Sequence, residues 1–258
     1  MSKSKNPLQA TGHQICNETG RGIFDPRGNR QMDAQACPFD SLHTGIKICG
    51  LTRPEDIAAV NEYRPDYIGF VFAPSKRNVS EMRAAGLKKL LSPDITAVGV
   101  FVNSPIDDIV RLVSRGIIGA VQLHGDMEGF ETVQYAEDLK KALAAARLAA
   151  SVPLIRAVRV KDGDDIRRAV SYPAEYLLFD TFVKDQYGGS GVRFDWSLIP
   201  HIEKPWFLAG GISASTIKEA LNTEACCLDI SSAVETDGRK DPKKIQEIIQ
   251  LSLIHISE

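Results

Sequence analysis

Eight short apolar runs, separated by segments of helical pattern, are what most restricts the folds open to this chain. The runs are "IKICG" from residue 46, "YIGFVF" from 67, "TAVGVFV" from 96 and "AVQLHG" from 120, then "PLIRAVRV" from 153, "YLLFD" from 176, "PWFLAGGI" from 205 and "CCLDISSAV" from 226. Their length and Val/Ile/Phe content suit buried strands. The segments between them carry helix-start signals. Pro54 suits a first turn and is followed by Glu55 and Asp56. Ser80 and Ser104 stand as N-caps, and Gly116 follows the end of a third helix. The sixth segment, "DWSLIP", is short.

Eight strand–helix units over residues 46–250 predict an α/β chain folded as a single-domain (β/α)8 TIM barrel. A doubly wound open sheet needs fewer strands or more chain. Residues 1–45 are rich in Gly, Asn, Gln and Arg with little periodicity, and read as a flexible N-terminal extension. The tail at 251–258, "LSLIHISE", is compatible with continuing the last helix.

Composition closes off other classes. The chain has 258 residues, 43% apolar and 25% charged, with a formal net charge of −2, so neither a polyanionic partner nor nucleic acid is expected. No apolar run approaches a membrane span, and the N-terminus lacks the apolar stretch of a secretory signal. The five cysteines are Cys16, Cys37, Cys49, Cys226 and Cys227. An odd count with an adjacent pair is no disulfide framework, and no C-x-x-C pair points to zinc. A reducing cytoplasm is the expected setting.

In such a barrel the chemistry sits where the strands end, in the βα loops. The first run ends at Cys49 and the sixth at Asp180. A thiolate is a competent base and a carboxylic acid a competent donor. An ordinary thiol is only about 3% ionised at neutral pH, and halving that deficit toward full ionisation means bringing its pKa down to about 7, roughly 2 kcal/mol of local electrostatics. Asp180 must instead hold a proton, which requires burial or a nearby anion. Taken singly, a cysteine reads as a small core hydrophobe and an aspartate as a cap. Cys226 and Cys227, inside the eighth run, fit the former.

The last strand ends point to phosphate. Gly210 and Gly211 allow close approach of backbone N–H groups to an anion. Ser213 is placed at the start of the following helix, where free N–H groups point the same way. Ser231 and Ser232 offer hydroxyls from the eighth run. The glycine pair alone reads as a turn; the serines at the neighbouring end favour an anion site. The loop after Asp180 holds "YGGSG", whose Gly188, Gly189 and Gly191 suit a phosphate-covering lid. Arg77, after the second run, can clamp a carboxylate with two parallel hydrogen bonds or stand as a solvated cation. His124 reads mainly as a scaffold residue, and Asp229 as structural.

The motifs "KICGLTRPED", "GFVFAPSKRNVS", "VQLHGD", "LLFDTFVKDQYGGSGVRFDW", "LAGGI" and "DISSAVE" resemble, in this order, the phosphoribosylanthranilate isomerase family of tryptophan biosynthesis. The resemblance implies an Amadori rearrangement of N-(5-phosphoribosyl)anthranilate without cofactor or metal. It implies Cys49 as general base, Asp180 as general acid, Arg77 on the anthranilate carboxylate, and the glycines with Ser231 and Ser232 on the phosphate. Partners are then one small-molecule substrate, with no nucleic acid and no membrane, in a monomer or homodimer. Ala233 departs from the pattern, many members having Gly there. The alternatives are a non-catalytic sugar-phosphate-binding barrel and the related histidine-pathway isomerase, which resembles this family but carries Asp at the first strand end.

Overall fold

The computed structural model describes residues 44–126, 128–148, 152–181 and 194–254. Eight parallel strands close into a barrel in chain order. They are β1 (Gly45–Cys49), β2 (Tyr67–Val71), β3 (Thr96–Phe101), β4 (Ala120–Leu123), β5 (Leu154–Val160), β6 (Tyr176–Thr181), β7 (Trp206–Ala209) and β8 (Cys227–Ile230). Each of the eight sequence runs contributes one strand. β1 closes the ring on β8, with Lys47 against Asp229.

The helices are α1 (Pro54–Tyr63), α2 (Glu81–Lys88), α3 (Ile106–Ser114), α4 (Val133–Ala145), α5 (Gly163–Val170), α6 (Ile217–Leu221) and α7 (Pro242–Ile254). After β6 the sequence "DWSLIP" supplies only a 3₁₀ turn, Trp196–Leu198, capped by the Asp195 side chain. α7 runs to Ile254, so the helix takes in part of the apolar tail. Ser80 caps α2 as its position suggests. α3 instead starts after Pro105, whose missing N–H costs nothing at that end.

Two apolar layers follow from strand alternation. Outward residues such as Ile46, Ile48, Ile68 and Phe70 pack against the helices. Inward residues, including Tyr67, Val98, Ala120, Ile155, Tyr176, Leu178, Phe207 and Cys227, fill the barrel. Cys226 and Cys227 are buried, as a core reading requires. Burial at about 25 cal/mol per Å² makes this double core the main source of stability.

The mouth is tied down by polar bonds. Glu131 accepts from the backbone N–H groups of Asn103 and Gly125, at 2.8 and 2.7 Å. Arg156 on β5 donates to Glu131 and to the Gly125 carbonyl, both at 2.6 Å. One buried ion pair therefore fixes the loops after β3 and β4. Its worth is geometric rather than energetic, because burying both charges offsets much of their attraction.

Candidate active site

At the C-terminal ends of the strands lies a cavity of about 720 Å³. Cys49, Arg77, His124, Asp180, Gly210, Gly211, Ser231 and Ser232 all line it. Side chains from β1 and β6, far apart in the chain, thus face one space. Gly188, Gly189 and Gly191 fall outside the described residues.

Cys49 is inward because it is two residues from Lys47 on a strand of period two. Its sulfur lies flush against β2: a Cβ on Gly69 would stand 2.5 Å from Cys49 Sγ. Burial pushes the thiol pKa up, while Lys47 pulls it down; Asp229 raises it and Lys240 lowers it. The depressed thiol wanted from sequence is therefore not the resting condition, because the barrel wall excludes water from the sulfur.

Asp180 is buried, and burial is the main reason its pKa rises to about 7. The Thr181 N–H, donating to Oδ1 at 2.8 Å, opposes that rise, and the Asp229 charge adds to it. A carboxyl of this kind is protonated for a large part of the time at neutral pH. Gly210 makes room for it. A Cβ there would stand 3.0 Å from Asp180 Oδ1 and 2.3 Å from Thr181 Oγ1, and the residue has φ +80°.

His124 Nε2 lies 3.7 Å from Asp180 Oδ2. Burial, then Arg156, Arg159 and Lys47, depress the imidazole to about 3. The ring is neutral, so the contact is not an ion pair, and its length exceeds a hydrogen bond.

Arg77 does not stand as a solvated cation. Its Nε and Nη2 donate to Glu235 Oε1 and Oε2 at 2.7 and 2.9 Å. Glu235 also accepts from Lys240 Nζ at 2.8 Å. The Nη1–Nη2 edge is left for a second planar anion. Gly50, at φ +87°, lets the Arg77 stem pass: a Cβ there would sit 2.3 Å from Arg77 Cδ.

The end of the cavity expected to hold phosphate differs in detail from expectation. Gly210 and Gly211 both have positive φ, +80° and +72°. However, the helix starts at Ile217 rather than near Ser213, and the Ser213 N–H is taken by Thr216 Oγ1 at 2.9 Å. The Thr216 hydroxyl closes that turn locally, at the expense of an earlier helix start. Ser231 Oγ donates to the Cys49 carbonyl at 3.0 Å, so its hydroxyl ties β8 to β1. Ser232 and Ala233 belong to a 3₁₀ turn, Ser232–Val234, and both line the cavity.

Sequence reasoning missed Lys47, Lys240 and Glu235. Lys47 is fully buried and donates to Asp229 at 2.9 Å. The signal was present in "IKICG": a lysine two positions before the cysteine shares its face. Lys240 and Glu235 had no such signal, since their approach depends on the β9 (Glu235–Thr236) and β10 (Arg239–Lys240) hairpin.

Fold and site together define an enzyme on a (β/α)8 barrel, with a thiol and a carboxyl facing one cavity that Arg77, Gly210 and Gly211 also line. Residues 46–251 match the family model for N-(5'-phosphoribosyl)anthranilate (PRA) isomerase. The chain belongs to the phosphoribosylanthranilate isomerase family. It is 44% identical over 207 residues to the N-(5'-phosphoribosyl)anthranilate isomerase of Endomicrobium trichonymphae, covering 80% of this chain and 96% of that one. It is also similar to the crystal structure of phosphoribosyl anthranilate isomerase from Thermotoga maritima, with TM-score 0.69, 33% identity and coverage of 81% and 98%. A further phosphoribosyl anthranilate isomerase structure, in complex with reduced 1-(o-carboxyphenylamino)-1-deoxyribulose 5-phosphate, matches with TM-score 0.67, 32% identity and the same coverage.

Proposed function

We propose that this chain catalyses the Amadori rearrangement of N-(5-phosphoribosyl)anthranilate to 1-(2-carboxyphenylamino)-1-deoxyribulose 5-phosphate, a step of L-tryptophan biosynthesis. The observation that carries the reading is that Cys49 and Asp180 line one cavity with Arg77 and the Gly210–Gly211 pair. Family membership supports the same reaction.

Protonated Asp180 gives its proton to the furanose ring oxygen as the C1–O bond breaks. The anilino nitrogen lone pair moves into C1, leaving an iminium. That cation acidifies the C2 proton, which the Cys49 thiolate removes to give an enolamine. Protonation at C1 with loss of the C2 hydroxyl proton completes the ketose. General acid and base each contribute roughly 10²–10⁴-fold in such steps. The Arg77 edge takes the anthranilate carboxylate, and Gly210, Gly211, Ser231 and Ser232 stand at the phosphate end. Gly188, Gly189 and Gly191 belong to the same proposed set. The reaction as drawn uses no cofactor and no metal, and the substrate is one small molecule.

A cytoplasmic monomer or homodimer, binding neither nucleic acid nor membrane, completes the reading. Among the described residues no helix is long and apolar enough to cross a membrane.

The test follows loss of substrate fluorescence for wild type, Cys49→Ser and Asp180→Asn. Turnover by wild type, with falls of at least about 100-fold in each variant, is the expected result. Binding without turnover in wild type indicates a sugar-phosphate-binding barrel, and preference for the histidine-pathway aminoaldose indicates the related isomerase.

A further inference from the structure

We infer that Lys47 makes Cys49 a base: its ammonium, buried on the Cys49 face of β1 and paired with Asp229, holds the thiolate that proton abstraction requires. The inference rests on the reading of Cys49 as the base and adds a positioning residue to it.

The inner layers of such a barrel are ordinarily filled by branched apolar side chains. Here one inner position of β1 is a lysine with no exposed surface, paired at 2.9 Å with Asp229 across the β1–β8 seam. An ion pair so placed contributes little net stability, and apolar residues of similar volume serve as well or better. A role beyond packing accounts for its presence. The ammonium donates to Asp229 at 2.9 Å, and Lys47 and Cys49, two residues apart on β1, share its inward face. Gly69 places the β2 backbone directly behind the sulfur.

The charges around Cys49 point the same way. Lys47 on β1, Asp229 on β8 and Lys240 on the β9–β10 hairpin act on the sulfur. Arg77 and Glu235 adjoin through Lys240 and the shared carboxylate. Across the mouth His124 is neutral, and Asp180 holds its proton in the working form. Arg159 adds a further cation across the mouth, acting on His124 and Asp180. Of the charges that act on the sulfur itself, Lys47 and Lys240 favour its thiolate and Asp229 opposes it. Burial opposes ionisation of the thiol, and Lys47 is the strongest influence against burial.

The experiment measures the pH dependence of iodoacetamide alkylation at Cys49, located by mass spectrometry, in the full chain without substrate. Replacing Lys47 alone strands the buried Asp229 charge, so the variant is Lys47→Met with Asp229→Asn. The expected result is an alkylation midpoint raised by about one pH unit, about tenfold less thiolate at neutral pH. kcat should fall by a similar factor with KM little changed. Lys47→Arg keeps both the cation and its Asp229 partner, so its midpoint should stay near that of wild type. An unchanged midpoint in a folded double variant, or a midpoint raised by about one pH unit in Lys47→Arg, overturns the inference; the second reading decides the matter even where the double variant does not fold. Wild type that fails to turn over phosphoribosylanthranilate sinks the functional reading, while the alkylation midpoints still judge Lys47.

Discussion

Arg77 and Glu235, 158 residues apart in sequence, meet as a two-bonded pair of 2.7 and 2.9 Å at the barrel mouth. Burial would raise the Glu235 pKa, but Arg77 and Lys240 hold it down to about 2. The pair fixes which edge of the guanidinium faces the cavity. Glu235→Gln is expected to raise KM by about tenfold, the worth of one charge-assisted bond, while changing kcat much less. Arg77→Ala should raise KM further. Steady-state kinetics on both variants check this; a Glu235→Gln enzyme with normal KM removes the orienting role.

Gly69 and Cys49 form a second dependent pair. A methyl at position 69 would sit 2.5 Å from Cys49 Sγ with the Cys49 backbone at 3.1 Å behind it, so the sulfur must move. Near-attack geometry tolerates little displacement, and an error of about 1 Å costs on the order of 100-fold. Gly69→Ala should therefore lose kcat with KM nearly kept. Retained kcat would show that the sulfur need not lie where β2 holds it.

Gly210→Ala combines backbone strain with crowding. At φ +80° a non-glycine residue costs roughly 1–2 kcal/mol, and the new methyl would meet Thr181 Oγ1 at 2.3 Å and the Thr181 backbone nitrogen at 2.9 Å. Thermal unfolding should shift down by several degrees, and turnover should drop because Asp180 is displaced. A variant as stable and as fast as wild type counts against both effects.

The pH profile follows from two groups that must carry opposite protonation to their usual order. In the proposed mechanism the active form pairs thiolate Cys49 with protonated Asp180. Asp180 titrates at about 7 and Cys49 above its ordinary value. On this basis kcat/KM rises with pH up to about 7, stays level, and falls once the pH passes the thiol pKa. The rising limb marks Asp180 and the falling limb Cys49, although the dependence on thiolate drives the rise. A profile falling from about pH 7 with no plateau would show that thiolate is not needed.

Stability should respond to the same carboxyl. Its folded pKa of about 7 lies above the ordinary 3.8, so the folded state binds the proton more tightly than the unfolded chain. The stabilisation is full below about pH 4 and is lost as pH rises through about 7. Asp180→Asn should lack that decline, and the difference between the two Tm–pH curves over this window measures it. Parallel curves would mean that Asp180 ionises without penalty.

The eight-strand barrel was legible because its two determinants are local: short buried runs and helix-start residues repeat with the right spacing. Cys49 and Asp180 were legible for a related reason, since a residue ending a barrel strand must face the mouth. The sixth helix shrank to a 3₁₀ turn, and Thr216 took the Ser213 N–H; such side-chain competition for backbone groups is decided within one turn and leaves little trace in periodicity.

The order of residues along this chain by itself set the strand count and the identity of the groups at the strand ends. Only closure of the ring decided which inner residues oppose each other. Lys47 and Asp229 lie 182 positions apart, and nothing in either run marks the other as its neighbour. Burial, and with it every altered acidity in the cavity, arises when β8 returns to β1 and excludes water from the groups between them.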